Sequence, residues 1–247
     1  MKRKQIEIML ALLAVLLYNG VPVEGAALFF NDGQNHVFSA ATWDMVDIAG
    51  SGTHAQVVDG AALQFLGVSA YATAQIDGGL ILQGMNVVTN ARATVNGGTI
   101  GGLKAYAQGF IELNGGTISY TGDISSGNIT SADNSIINIR GGTFDGLIID
   151  GITTMYGGLI YLYGDNFSAA GQQLNYGDNL RDFGVTDEFG NLTGTLNGTL
   201  ADGSSFTSTF FIRNYVEGGD IIVVPEPATL LLLSAAFAAS RFLRSRG

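Results

Sequence analysis

Asp145 and Asp150, with Arg140 just upstream, are the residues of this chain best suited to acid–base chemistry. Paired carboxylates about 5–10 Å apart protonate a glycosidic oxygen and activate water. Tyr156, Tyr161 and Tyr163 follow closely and would offer a stacking surface for sugar rings. Nothing in the spacing of the two aspartates separates them from turn residues, and alternation predicts that many tyrosines merely cover a strand edge. A secreted polysaccharide lyase or hydrolase is thus an alternative reading; an enzyme is not expected.

Other chemistries find less support. There is no cysteine, so thiol catalysis and Cys-bearing zinc sites are absent. The two histidines, His36 and His54, read as surface or satisfied core groups, and no Gly-x-Ser-x-Gly elbow accompanies them. The glycine pairs match neither phosphate-cradling fingerprint. They also lack the Gly-Gly-x-Gly-x-Asp nonapeptide of calcium-binding coils. Asp123, Asp133, Asp145 and Asp150 read as solvated carboxylates rather than a cation site. No metal or cofactor is expected. Asn128, Asn166, Asn191 and Asn197 each open an Asn-x-Ser/Thr acceptor pattern, which chance supplies in a chain rich in Asn, Gly and Thr.

The elements that would position these residues follow one recurring phrase. Glycine pairs at Gly78, Gly97, Gly115, Gly141 and Gly157 each precede Thr or Leu and then a bulky apolar residue, and Gly60 opens a weaker copy. The intervals between first glycines are 18, 19, 18, 26 and 16 residues. Two places before the glycine stand Val58, Ile76, Val95, Leu113, Ile139 and Met155. Three places after it stand Leu63, Ile81, Ile100, Ile118, Phe144 and Ile160. Four places before it the row is Gln56, Ala74, Ala93, Ile111, Ile137 and Thr153, apolar in four of six. Alternate residues point one way, as in half-buried strands, and the glycines permit sharp corners. A series of hairpins would also place glycines at turns. A parallel solenoid gives the better reason for one residue type to recur every coil, because each position touches its counterpart above and below. Asp59, Asp77, Asn96 and Asn114 would then form a side-chain ladder at one corner, with Thr99, Thr117 and Thr143 along an edge.

The long interval contains a polar, turn-rich stretch at 120–134, which reads as a loop bulging from one coil. Residues 28–56 lack the phrase, hold Trp43, and are expected to cap the N-terminal end. After Gly164 the texture changes to alternating segments around Asp202 and Gly203, expected to be antiparallel strands closing the stack.

Both ends of the chain carry addresses. Lys2, Arg3 and Lys4 precede an apolar run from Ile8 to Leu17, with small residues around Gly25, Ala26 and Ala27, as a secretory signal peptide requires. At the other end, Val224-Pro225-Glu226-Pro227 leads into an apolar run at 228–240, followed by Arg241, Arg244 and Arg246. Thirteen helical residues rise only about 20 Å, short of a roughly 30 Å hydrocarbon core, unless Phe242 and Leu243 extend the surface and Arg241 snorkels. Without both ends, five of the 11 Lys and Arg and 18 of the 21 Asp and Glu remain, a charge of about −13. So few dispersed cations provide no phosphate-tracking stripe, and nucleic-acid binding is not expected.

The proline-bracketed acid, apolar run and basic stop resemble the PEP-CTERM sorting signal of Gram-negative bacteria. That resemblance implies an exported protein, held at the inner membrane through its tail until an exosortase-type enzyme processes it. It also implies association with exopolysaccharide. The layout of solenoid and following β segment is similar to PEP-CTERM surface proteins of planctomycete type. The expectation is an all-β chain: signal peptide (1–27), N-terminal cap (28–56), a short right-handed parallel β-helix of about six coils (57–163), an antiparallel β segment (164–223) and a sorting tail with a membrane helix (224–247). Its expected role is that of a structural or interaction protein of the cell surface or extracellular matrix, with a self-assembling filament as another alternative.

Overall fold

The computed structural model describes residues 27–42, 44–119, 129–145, 152–214 and 218–225. The signal-peptide and sorting-tail expectations, including Glu226, Pro227, Arg241, Arg244 and Arg246, therefore fall largely outside the described residues. So do Trp43, Asp123, Asn128 and Asp150.

The chain winds as an all-β solenoid of about six coils, each turning through three faces. Strands β1 (Ala27–Phe30) and β2 (Asn35–Phe38) open the stack. Next come β3 (Met45–Ala49), β4 (His54–Val57) and β5 (Ala62–Leu63), then β6 (Phe65–Ser69), β7 (Thr73–Ile76) and β8 (Leu80–Ile81). The following coils are β9 (Met85–Val87), β10 (Arg92–Val95) and β11 (Thr99–Ile100), and β12 (Leu103–Ala105), β13 (Phe110–Leu113) and β14 (Thr117–Ser119). After them run β15 (Ile129–Ser131), β16 (Ile136–Ile139) and β17 (Thr143–Asp145), then β18 (Ile152–Thr154) and the long β19 (Leu159–Ala169). The chain ends with β20 (Gln172–Gln173), a 3₁₀ turn at Leu180–Asp182, β21 (Val185–Thr186), β22 (Leu192–Leu200), β23 (Ser205–Ile212) and β24 (Asp220–Val224).

Every ladder within the coils is parallel. The first face stacks β1, β3, β6, β9, β12, β15, β18 and β23. The second stacks β2, β4, β7, β10, β13, β16, β19 and β24. The third and shortest stacks β5, β8, β11, β14 and β17. At the ~4.8 Å spacing of paired strands, eight layers make a column roughly 34 Å tall.

The core is a set of vertical columns of like side chains. Leu63, Ile81, Ile100, Ile118 and Phe144 stack in register on the third face. On the second face the inward column reads Ala55, Ala74, Ala93, Ile111, Ile137 and Ile160. Gln56 and Thr153, the two polar members of the sequence row, are thus replaced by Ala55 and Ile160, and the column is apolar throughout. Its neighbour contains Val57 and Leu162 where the glycine phrase pointed to Val58 and Met155. Both shifts have a local cause. The corner after Val57 holds one residue more than its successors. Gly157 does not sit at the corner between the second and third faces at all; it lies between the first and second, just before β19. Ile160 therefore stacks on Ile137 rather than on Phe144.

That other corner is built without a glycine signature. Ala70-Tyr71, Thr89-Asn90, Ala107-Gln108 and Asp133-Asn134 all take positive φ, and Tyr156-Gly157 continues the series. Left-handed backbone costs roughly 1–2 kcal/mol per non-glycine residue. A column of hydrogen bonds offsets it: the N–H groups of Tyr71, Asn90, Gln108 and Asn134 donate to the carbonyls of Thr89, Ala107, Asp133 and Tyr156 in the next coil.

Inside this corner are polar groups. The Ser135 hydroxyl donates to Ala105 O (2.8 Å), and Ser131 bonds Ser135, so both buried serines are satisfied. Thr154, above Ser131 in the same column, is fully buried and its hydroxyl makes no hydrogen bond. Burying an unpaired hydroxyl costs about 1–3 kcal/mol. Thr154→Val is therefore expected to raise stability by about 1 kcal/mol in urea denaturation, and a loss of that size would mean the hydroxyl is bonded.

The ends differ from the sequence expectation in instructive ways. Residues 27–57 contain ladders of the stack itself, since β1 pairs with β3 and β2 with β4 in parallel. Beyond Gly164, β22 is antiparallel to β23 and to the second half of β19, as expected of a closing strand. But β23 and β24 run parallel to β18 and β19, so the chain rejoins the stack as a further layer. The turn between β22 and β23 docks on the Gly141-Gly142 corner. There Asp202 accepts from Gly142 N (2.9 Å) and the Ser204 hydroxyl donates to Gly142 O (3.0 Å). The loop expected at 120–134 contains the strand β15 (Ile129–Ser131), and residues 120–128 lie outside the described residues.

Candidate binding face

The outward side of the second face collects most of the organised polar groups. Asn114 Nδ2 donates to Asn96 Oδ1 (3.0 Å), and Asn96 Nδ2 donates to Asp77 Oδ1 (2.9 Å). Gln56 and Gln75, paired in register on β4 and β7, both donate to Asp77 as well. The expected amide ladder is present over three coils, from Asp77 through Asn96 to Asn114; Asp59 belongs to the longer first corner and is not one of its rungs. Hydrogen bonds from Asn96 first, then Gln56 and Gln75, hold the Asp77 carboxyl below its usual 3.8.

This ladder has a pH consequence. A carboxyl depressed on folding stabilises the native state above the unfolded value and loses that contribution as pH falls through its lower folded value. Asp202 acts in the same direction: burial alone would raise it, but Ser204 and Gly142 together hold it low. Acid unfolding should therefore begin below pH ~3.8. In an NMR titration Asn96→Ala should move Asp77 back upward; an unmoved Asp77 would remove Asn96 as the cause.

Farther along the face, Arg140 follows Asn114 in the same row. Its guanidinium pairs with Glu112 and lies over the Tyr163 ring, 3.6 Å from the centroid. Glu112 also accepts from Asn138 Nδ2 (2.9 Å). Glu112 was not singled out in the sequence. It sits across the 26-residue interval from Asn138, and only the register Glu112–Asn138 brings the two together. Arg140 is thus committed to Glu112 and Tyr163. Tyr163 has its ring face occupied, Tyr161 stands beside Asn138, and Tyr156 is at the corner before β19. The three tyrosines do not form one open aromatic patch.

The remaining sequence candidates disperse. Asp145 ends β17 on the third face, beside Ser119, and its partner Asp150 lies outside the described residues. Asp133 occupies a left-handed corner. His36 Nε2 is 3.0 Å from Asp32 Oδ1, its ring against Phe30, and His54 Nδ1 is 2.8 Å from Thr73 Oγ1. Each histidine has a local partner. Val224 closes β24 opposite Tyr163, and Pro225 follows it directly, so the Val-Pro-Glu-Pro stretch begins where the last strand stops. Among the described residues no cluster of three His, Asp or Glu side chains could hold a metal ion, and no helix is long and apolar enough to cross a membrane.

The cations are used locally. Arg92 lies over Phe110, Arg213 over Phe211, and Arg181 pairs with Asp220 (2.6 Å). What the face offers is a rigid, repeating array of amides and carboxylates, spaced by the strand repeat. A cleft of about 480 Å³ lies at the C-terminal end, where Asp165, Asn166 and Tyr176 rim a floor of Phe167, Leu174 and Val223.

No family model matches this chain, and neither a curated protein nor a solved structure matches it.

Proposed function

We propose that this is an exported, non-enzymatic structural or interaction protein of the cell surface or extracellular matrix, associated with exopolysaccharide. The single observation that carries the reading is the terminal order Val224-Pro225-Glu226-Pro227, apolar run, Arg241, Arg244 and Arg246. In this reading the N-terminal leader directs export and is removed. The tail crosses the inner membrane as a helix, its arginines on the cytoplasmic side by the positive-inside tendency. An exosortase-type enzyme then releases the column. The column winds right-handed, as parallel crossovers almost always do. Its acidic balance suits an extracellular setting, and the ladder face around Asp77, Asn96 and Asn114 contacts polysaccharide hydroxyls.

Intact mass of the protein recovered from the cell surface tests the sorting directly. The expected mass lacks the leader and the residues beyond the motif; a full-length mass would overturn the reading. Retention of that material on neutral and acidic polysaccharides tests the face. Joint Gln56→Ala, Gln75→Ala and Asn96→Ala changes should weaken retention about tenfold, the scale of one lost hydrogen bond, with an unchanged fold. Turnover of a polysaccharide that disappears in Asp145→Ala or Asp150→Ala would replace this proposal with the enzymatic alternative.

A further inference from the structure

We propose that the N-terminal end of the column seats a second copy of this chain, making the mature protein a closed head-to-head dimer and not a filament. The two ends of the column are unequal. At the C-terminal end β22 covers the outer edge of β23. The loop at 175–179 covers β24, through Gly177 N to Val223 O (2.8 Å) and Val223 N to Asp178 O (3.1 Å), and Leu180 is fully buried beside it. At the other end, β1 and β2 pair on one side only among the described residues, with β3 and β4.

The side chains repeat that asymmetry. Leu28, Phe30, His36 and Phe38 are inward positions, yet all are only half-buried. The residues directly above them, Val46, Ile48, Ala55 and Val57, are fully buried. Edge strands are ordinarily protected by lysine, proline or a bulge. The segments Ala-Leu-Phe-Phe and Asn-His-Val-Phe carry none of these.

The preceding chain does not read as another coil. Ile8 to Leu17 is an unbroken apolar run without the alternation that every coil shows. The proposal rests on the removal of that leader put forward above, which leaves the edge bare. A second copy brings an identical set of unpaired strand groups. Two identical ends meet across a two-fold axis, with the facing strands antiparallel. Because the far end is covered, association stops at two.

Analytical ultracentrifugation of the mature, surface-recovered protein tests this. The expected result is one species of twice the intact mass that does not grow with concentration. Phe29 and Val37 point outward at the edge and are 67% and 55% exposed, so Phe29→Lys with Val37→Lys leaves the core untouched. That double variant should sediment as a monomer with unchanged circular dichroism. Phe189→Lys, 78% exposed in the turn before β22, should remain dimeric. A wild-type monomer, a concentration-dependent ladder, or a dimer indifferent to the edge lysines would each overturn the proposal. Mass spectrometry of the same sample separates the causes: a monomer lacking its leader refutes the dimer alone, and a monomer retaining it refutes leader removal as well.

Discussion

Gly98→Ala is expected to destabilise the protein by about 2–5 kcal/mol, lowering the melting temperature by roughly 5–20 °C. Two costs combine. Gly98 has φ +82°, where a side chain costs roughly 1–2 kcal/mol. A Cβ there would also stand 2.6 Å from Gly78 O and 2.9 Å from Gly79 O in the coil below. Those atoms are backbone of the stacked corner between β7 and β8, so they cannot rotate away, and overpacking of that kind costs about 1–3 kcal/mol. Gly203 isolates the first of these, the backbone cost. Its φ is nearly the same, +85°, but nothing lies within 4 Å of the added Cβ. Gly203→Ala should therefore cost only about 1–2 kcal/mol. Equal losses in thermal melts of the two variants would mean that stacking of the corners is not what demands glycine.

Phe206→Ala should cost about 3–5 kcal/mol, the range for deleting a buried aromatic ring. Phe206 is 1% exposed and meets Phe144 edge-on (4.8 Å, 85°) and Phe167 (6.3 Å, 76°). It joins the last third-face strand to the closing layer. The loss should be local, because coils contact only their neighbours. Amide exchange is expected to accelerate first in β22, β23 and the second half of β19, while β7 to β13 keep their protection. The uncovered β18 edge should then promote aggregation. Uniform acceleration along the whole column would mean that the closing layer is not a separable unit.

The contrast between these two sites shows what could be read beforehand. The third-face column from Leu63 to Phe144 was legible because bulky residues recur at one distance from a glycine pair. The same anchor misled at both ends. Val58 and Met155 share the spacing but not the place, since one corner is a residue longer and Gly157 serves a different corner. The left-handed pairs such as Ala107-Gln108 were illegible, because neither residue type favours that backbone. It is held by the next coil rather than by local preference. The return of β23 and β24 was hidden for a related reason: alternation marks a strand without marking its direction. Among site residues, the rungs Asp77, Asn96 and Asn114 followed from the repeat. Glu112 did not, because its partners Asn138 and Arg140 lie beyond the long interval.

The most direct test of the column is the pattern of cross-strand amide contacts in a nuclear Overhauser spectrum of the deuterated protein. A single-direction stack predicts contacts at a constant residue difference, 18 or 19 from Ala74 through Ile118, as in Thr99 with Thr117 and Ala93 with Ala74. Contacts whose residue numbers instead keep a constant sum across that stretch would mean neighbouring strands run oppositely, and the column would be refuted.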